Sequence, residues 1–366
     1  MDNLIISNIR QRPIRSLVSV IGVALGVALV MLFTGLAHGM SNDLQRRSQN
    51  VRAEIMFTRP GTMDNLTSST LNLTTKYVER LQAVDGVEWA VPVGLYVFQG
   101  GAGFGFEQLE GVDWPAFAKM NNIQLEEGRA PEAADEVVID YVKAQNENRH
   151  VGDPITLLGN KPYRIAGIFS PESGSRTKMT LGAMQDLLEA PGKCTYILVK
   201  AKEGVSEQQL AERINKELSG NKVQFTRDVF TSIESRIPFI GVFMKVLVGL
   251  AAVVSALVVM LAMYTTITER TREIGILKAM GASRGYIIGV IEKEAIVISA
   301  LGLVLGFAVA MLGGALIHRR YNLIFEYSWS WAMAAAAIGL LGGAVGALYP
   351  AVRAANLDAV SALSYE

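Results

Sequence analysis

Cysteine is all but missing. Cys194 stands alone, so no intrachain disulfide can form, and an exported domain must rely on its own core. Histidine is scarce: His38, His150 and His318 lie far apart, and no His/Cys cluster has metal-ligand spacing. An excess of either charge is missing too, since 34 Lys+Arg balance 34 Asp+Glu. That excludes the bulk basic field of a nucleic-acid binder. No G-x-x-x-x-G-K-[ST] occurs, so the chain carries no nucleotide loop of its own. The Gly-rich stretch 100–105 therefore reads as a hairpin tip. No catalytic His, Cys or carboxylate constellation stands out, and a non-catalytic chain without its own cofactor is expected.

Apolar residues are plentiful, at 50% of the chain. They gather at the start and in the last third, and the middle reads as an ordinary soluble domain. A spanning helix needs roughly 20 apolar residues. Residues 16–37 supply that length with no internal charge, and 295–317 do so again. Residues 331–351 do so a third time, with Trp329 and Trp331 at one end and Tyr349 at the other, as suits two membrane interfaces. Residues 237–267 exceed a bilayer's need and carry Lys245, which predicts a span from about Val246 continued outward as a stalk. The first run follows Arg10, Arg12 and Arg15, as a signal peptide would. It is longer than the about 7–15 residues of a signal h-region, so it is expected to be retained.

Lys/Arg bias sets the expected orientation. Arg10, Arg12 and Arg15 lie on one side with Arg270, Arg272, Lys278, Arg284 and Arg353, whereas Arg319 and Arg320 lie opposite. This predicts a multi-pass membrane protein with both termini in the cytoplasm. The plan is a cytoplasmic amphipathic helix at 1–15, a first span at 16–38 and an extracytoplasmic domain at 39–236. A stalk and second span follow at 237–267, then a cytoplasmic helix and turn at 268–285. A third span (286–317), an external loop (318–328), a fourth span (329–351) and a cytoplasmic tail (352–366) complete it. Small residues predict close helix packing: Gly22 and Gly26 on the first span, Gly302, Gly306, Ala310 and Gly314 on the third, and Gly339, Gly343, Gly342 and Gly346 on the fourth. Those faces are nearly free of polar residues, which argues for bundle packing over a pore.

Between the first two spans the order strand, helix, strand occurs twice. Residues 51–59, 74–83 and 87–98 make the first β-α-β unit, and 195–200, 206–218 and 222–227 the second. Ser206 and Gln209 have capping-box spacing. The insert at about 100–190 holds short β-prone runs (136–140, 154–158, 163–169) separated by Gly, Pro and Asn. The expected fold class is a membrane α-helical protein with four transmembrane helices and a large α+β extracytoplasmic domain, in which two β-α-β units flank a β-rich inserted subdomain.

The 268–284 segment is short and strongly patterned. Helix formers fill 269–280, Gly281 suits a C′ position, and Ser283 can N-cap a second helix. Charged residues are expected on one face and Ile274, Leu277 and Met280 on the other. Such a helix can dock in a groove of a soluble partner, or lie in the interface without one; the residues leave both readings open.

The run Arg272-Glu273-Ile274-Gly275-Ile276-Leu277-Lys278-Ala279-Met280-Gly281-Ala282-Ser283 resembles the coupling segment of the FtsX/MacB-type (type VII) ABC transporter permeases. The N-terminal Asn8-Ile9-Arg10-Gln11-Arg12-Pro13-Ile14-Arg15-Ser16 is similar to that family's amphipathic N-terminal helix. The stretch from Tyr349-Pro350 to Leu363 resembles its closing motif, with Asp358 where proline is common. Glu126-Glu127-Gly128-Arg129 and Val151-Gly152-Asp153-Pro154-Ile155 resemble its periplasmic core. The resemblance spans the whole chain in order. It implies four spans, a homodimer, and a separate cytosolic ABC ATPase that binds ATP and Mg and docks on the loop helix. Docking would engage Glu269, Arg270, Arg272, Glu273, Ile274, Gly275, Leu277, Lys278, Gly281, Ser283 and Arg284. The mechanism implied is mechanotransmission: ATPase closure moves the external domain, with the stalk at 237–245 as the lever. Two functional classes follow. One is export or extraction of a hydrophobic or amphipathic substrate, with a periplasmic adaptor and an outer-membrane channel among its partners besides membrane lipids. The other is an FtsX-like regulator that transmits ATPase cycles to a periplasmic hydrolase or sensor.

Overall fold

The structure is a computed structural model that describes residues 13–62, 71–99, 106–157, 161–228, 238–321 and 323–358. The 1–12 stretch, the Gly-rich 100–105 stretch, the first stalk residue and the end of the tail lie outside the described residues. The chain forms two compact units, Met1–Met40 with Ile237–Glu366, and Ser41–Arg236. Helix α1 (Pro13–Gln49) contains the first apolar run. It does not stop where that run stops. From Ser41 it is polar yet still helical, and this part belongs to the second unit. Asp43 and Arg47, one turn apart, pair at 3.1 Å and support the extension.

The second unit then runs through β1 (Ile55–Thr58), β2 (Leu73–Thr74), α2 (Tyr77–Gln82), β3 (Val87–Gln99), β4 (Phe106–Val112), α3 (Trp114–Asn121), β5 (Gln124–Gly128), β6 (Glu136–Asp140) and α4 (Tyr141–Glu147). It continues with β7 (Pro154–Leu157), β8 (Lys161–Ser170), β9 (Thr177–Thr180), α5 (Leu181–Leu187), β10 (Lys193–Cys194), β11 (Tyr196–Ala201), α6 (Glu207–Glu217) and β12 (Lys222–Phe225). Both β-α-β units are present, and the domain is α+β with a mixed sheet. The insert differs from expectation in one respect: it is not a separate sheet. One sheet runs β12-β1-β11-β3-β4-β9-β6-β8-β5, with β7 on β8, while β10 and β2 pair by themselves. The reason is the length of β3. Its first half pairs with β11 from Val87 to Val93, and its second half pairs with β4 from Val93 to Gln99.

Period-2 alternation divides the core between the two sheet faces. On β1, Ile55 and Phe57 pack with Leu81, Leu210 and Ile214 of α2 and α6, whereas Met56 packs with Trp114, Phe117 and Met120 of α3. On β11, Ile197 and Val199 join the first group, and Tyr196 and Leu198 the second. A third cluster joins Leu109, Val137, Ile139, Ile165 and Met179 to Met184 of α5. Each such fully buried side chain contributes about 1.5–3 kcal/mol. The predicted capping box does not form. Ser206 stands at the N-cap of α6, but its hydroxyl bonds Gln208 Oε1 at 2.9 Å and caps no backbone amide.

The chain returns through α7 (Pro238–Glu269), α8 (Thr271–Ala279), α9 (Arg284–Tyr321) and α10 (Trp329–Ala355). Four helices, Ser16–Gln49, Lys245–Glu269, Arg284–Arg320 and Trp329–Ala355, are long and apolar enough to cross a membrane. Leu25, Leu29, Val253, Leu257, Leu261, Val304, Leu312, Leu341 and Val345 are exposed on them, the surface a bilayer would cover. Inside the bundle, Val23, Val27, Val259, Ile291, Ala295, Ala310 and Ala347 are buried together.

Candidate coupling site

The site is built at the turn between α7 and α9. Arg270 leaves helical geometry (φ −105°, ψ 14°), which ends α7 and starts α8. Glu269 is therefore the last residue of α7 and is exposed. The Arg270 amide and the Thr271 hydroxyl take up carbonyls of the last α7 turn: Arg270 N donates to Ile267 O at 3.1 Å, and Thr271 Oγ1 to Thr268 O at 2.9 Å. At the other end Gly281 adopts φ +94°. Its amide donates to Lys278 O at 2.9 Å, and the Ala282 amide donates to Leu277 O at 3.0 Å. That pair of bonds is a Schellman closure. Nothing lies within 4 Å of where a Gly281 Cβ would be, so glycine is needed there for the backbone angle and not for space. The Ser283 hydroxyl then accepts from the Tyr286 amide at 3.2 Å and caps α9.

Two of the charges expected to face a partner turn inward. Arg270 is largely enclosed, and its guanidinium lies 3.6 Å from the buried Glu294 carboxylate of α9 and 3.9 Å from Glu273. Lys278 Nζ donates to Ala355 O at 2.8 Å and also to Leu357 O, at the C-terminus of α10. The Ala355 carbonyl is an orphan at the negative end of the helix dipole, the place where a cation is favoured, and Leu357 lies just past the C-cap. Ile274 and Gly275 are buried, and Leu277 is half-buried. So α8 is braced at its start to α9 and at its end to α10.

The outward face differs from the expected all-charged one. Arg272, Glu273, Ile276, Met280, Ser283, Arg284 and Tyr286 are exposed. Glu273 is 71% exposed. Met280, expected on the apolar inner face, is 72% exposed, and Ile276 is 44% exposed. Met280 is the C-cap of α8 and follows Glu273 and Ile276 by seven and four residues, so the helical period puts it on their exposed face. The result is two aliphatic side chains framed by charges of both signs. Sequence reasoning missed Glu294, which lies within a long apolar helix and has no local pattern linking it to Arg270.

The packing glycines mediate different contacts. A Cβ on Gly22 would lie 2.3 Å from Val258, and one on Gly26 would lie 3.3 Å from Ala251 O, so both face α7. Gly302 and Gly306 face Val23, Val27 and the backbone of α1. Gly339 meets Val27, and Gly343 meets the Ser299 hydroxyl of α9. A Cβ on Gly346 would lie 2.3 Å from Ala256 O, so Gly346 faces α7. At Gly314 the nearest neighbour of a Cβ would be the ring of Tyr327, whose hydroxyl donates to Ala310 O at 2.8 Å.

Residues 16–217 match the profile of the MacB-like periplasmic core domain, and residues 245–359 that of the FtsX-like permease C-terminal domain. The chain belongs to the MacB/FtsX family of ABC transporter permeases. It is a multi-pass membrane protein of that family. An uncharacterized ABC transporter permease of Methanocaldococcus jannaschii is 25% identical over 389 residues, covering 98% of this chain and 96% of that one. The macrolide export ATP-binding/permease protein MacB of Escherichia coli is 26% identical over 386 residues, covering 96% of this chain and 58% of that one. The pyoverdine export ATP-binding/permease protein PvdT of Pseudomonas fluorescens is 24% identical and is covered over 57% of its length. The chain thus spans under two thirds of those two ATP-binding/permease relatives. The periplasmic region of MacB from Actinobacillus actinomycetemcomitans aligns with 52% of this chain at 16% identity and a TM-score of 0.37.

Proposed function

We propose that this chain is the permease subunit of a MacB-like transporter and that α8 docks a cytosolic ABC ATPase. The observation that carries the reading is the exposed Arg272, Glu273, Ile276 and Met280 patch on a helix braced by Arg270–Glu294 and by Lys278. A patch held this way transmits displacement to α9 and α10 instead of yielding to it. In this reading α8 and both termini are cytoplasmic and the α+β domain is extracytoplasmic, and two copies of the chain work with two ATPases that bind ATP and Mg.

The bundle works as a set of levers and not as a pore. Among the described residues the buried polar side chains of the bundle are Ser19, Thr34, Ser255, Thr271, Ser299 and Glu294, the last held by Arg270, too few to line an aqueous path. Thr34 already spends its hydroxyl on Val30 O at 2.7 Å. ATP hydrolysis then drives motion of the α+β domain, which acts on a hydrophobic or amphipathic substrate for export or extraction, with a periplasmic adaptor and an outer-membrane channel as further partners. The test is co-purification. Glu273→Lys reverses an exposed charge without touching the core and is expected to abolish association with the ATPase while the permease still folds. Unchanged association and unchanged ATPase stimulation would overturn the assignment of α8.

A further inference from the structure

The polar end of α1 is fixed to the sheet domain by directional bonds instead of apolar packing. Within the Ser41–Arg236 unit, buried Asp43 accepts from Arg47 Nε at 3.1 Å and from Arg176 Nη2. Arg176 in turn donates to both oxygens of the fully buried Asp140, at 2.9 and 3.1 Å. Asp140 also N-caps α4 through the Lys143 amide at 2.6 Å. Arg47 Nη1 donates to Gly174 O at 2.9 Å, and Asn50 Nδ2 donates to Glu172 O at 2.7 Å. Ser173 Oγ returns a bond to Asn50 O at 3.2 Å. From the sheet side, Lys178 Nζ holds the same loop through Ser173 O at 2.7 Å and Ser175 O at 3.0 Å.

Burial lifts the Asp140 carboxyl above its usual range, and the guanidinium of Arg176 opposes that shift. Buried ion networks of this kind are weak stabilisers, because desolvation offsets their attraction. What they supply is geometry. Each bond fixes a distance and a direction, so helix and loop cannot slide past one another as two apolar faces can.

We propose that Asp43, Arg47 and Asn50, gripping the 172–176 loop and the Arg176–Asp140 pair, form the joint that delivers displacement of α1 to the sheet. The joint rests on the mechanical reading given above. It places the load on the first span's extension, where the sequence pointed to the second span's stalk. These are positioning residues. None is expected to touch ATP or substrate.

The test uses the full-length permease with its ATPase in nanodiscs. Spin labels at the exposed Gln45 of α1 and Gln145 of α4 report the distance across the joint. In the otherwise unaltered protein this distance is expected to be the same without nucleotide and in the vanadate-trapped state. Arg47→Ala with Asn50→Ala leaves Asp43 and Asp140 paired to Arg176. It is expected to hydrolyse ATP at the parent rate yet show a distance that shifts and broadens on trapping. Asn50→Ala alone, which keeps every ion pair, is expected to shift the same way by less, and Arg47→Lys to restore part of the constraint. A trapped-state distance in the double variant identical to the parent's, with hydrolysis intact, overturns the joint. A distance that already changes with nucleotide in the parent also overturns it. Failure of the ATPase to bind the parent overturns the mechanical reading beneath it, an outcome distinguishable from the other two.

Discussion

Lys178 is fully buried, and its ammonium faces Glu110 at 2.5 Å between the rings of Phe117 and Phe169. Burial pushes its pKa down, and Glu110 opposes that shift. Glu110 also accepts from the Tyr196 hydroxyl at 3.0 Å, and burial together with Glu110 pushes that phenol well up, so it stays a donor. Lys178→Met would leave Glu110 as an uncompensated buried charge, at a cost of about 3–5 kcal/mol. At about 1.4 kcal/mol per tenfold, amide exchange protection in β4 and β9 should fall by roughly a hundredfold to a few thousandfold. Adding Glu110→Gln removes the stranded charge and keeps an acceptor for Tyr196. What remains is the lost donor to Ser173 O and Ser175 O, about 1–3 kcal/mol. The assay is hydrogen exchange of the full-length protein in detergent, with α7 peptides as an internal reference. If the double variant costs the sum of the two single ones, the pair is not coupled and the electrostatic reasoning is refuted.

Gly281→Ala should cost about 1–2 kcal/mol, because an alanine must take φ +94°; thermal unfolding checks it, and an unchanged midpoint would contradict the Schellman closure. Gly346→Ile should separate α10 from α7, since a Cβ would meet Ala256 O at 2.3 Å. A Cys pair across that contact would then stop cross-linking. Glu136 is held below the usual carboxylate range by the Arg129 guanidinium and the amides of Glu132 and Ala133. Its contribution is therefore present above the unfolded value of about 4.3 and is lost as pH falls through the lower folded value. Glu136→Gln should be destabilising near neutral pH and nearly silent at strongly acid pH. An equal effect at both would contradict the sign.

The four spans were legible because length and hydropathy alone decide them, and the strands because short β-prone runs bounded by Gly, Pro and Asn need only neighbours. The polar end of α1 was not legible. Ser41 to Gln49 carries no apolar period, and its helix is held by partners far along the chain. Asp43 and Arg176 lie 133 residues apart, and Lys178 and Glu110 lie 68 apart. No local pattern announces such a meeting, and each member reads in sequence as a solvated charge. In the α8 region, the turn chemistry of Gly281 and Ser283 was readable from residue type. Which charges point out was not: Arg270 and Lys278 are turned inward by Glu294 and by the end of α10, both set by tertiary packing.

Site-specific photo-cross-linking at Met280 tests the central claim most directly. The account predicts capture of the cytosolic ATPase from a probe at Met280 and none from a probe at Arg319, at the opposite end of α9. Capture from Arg319, or no capture from Met280 in a complex that still hydrolyses ATP, would contradict it.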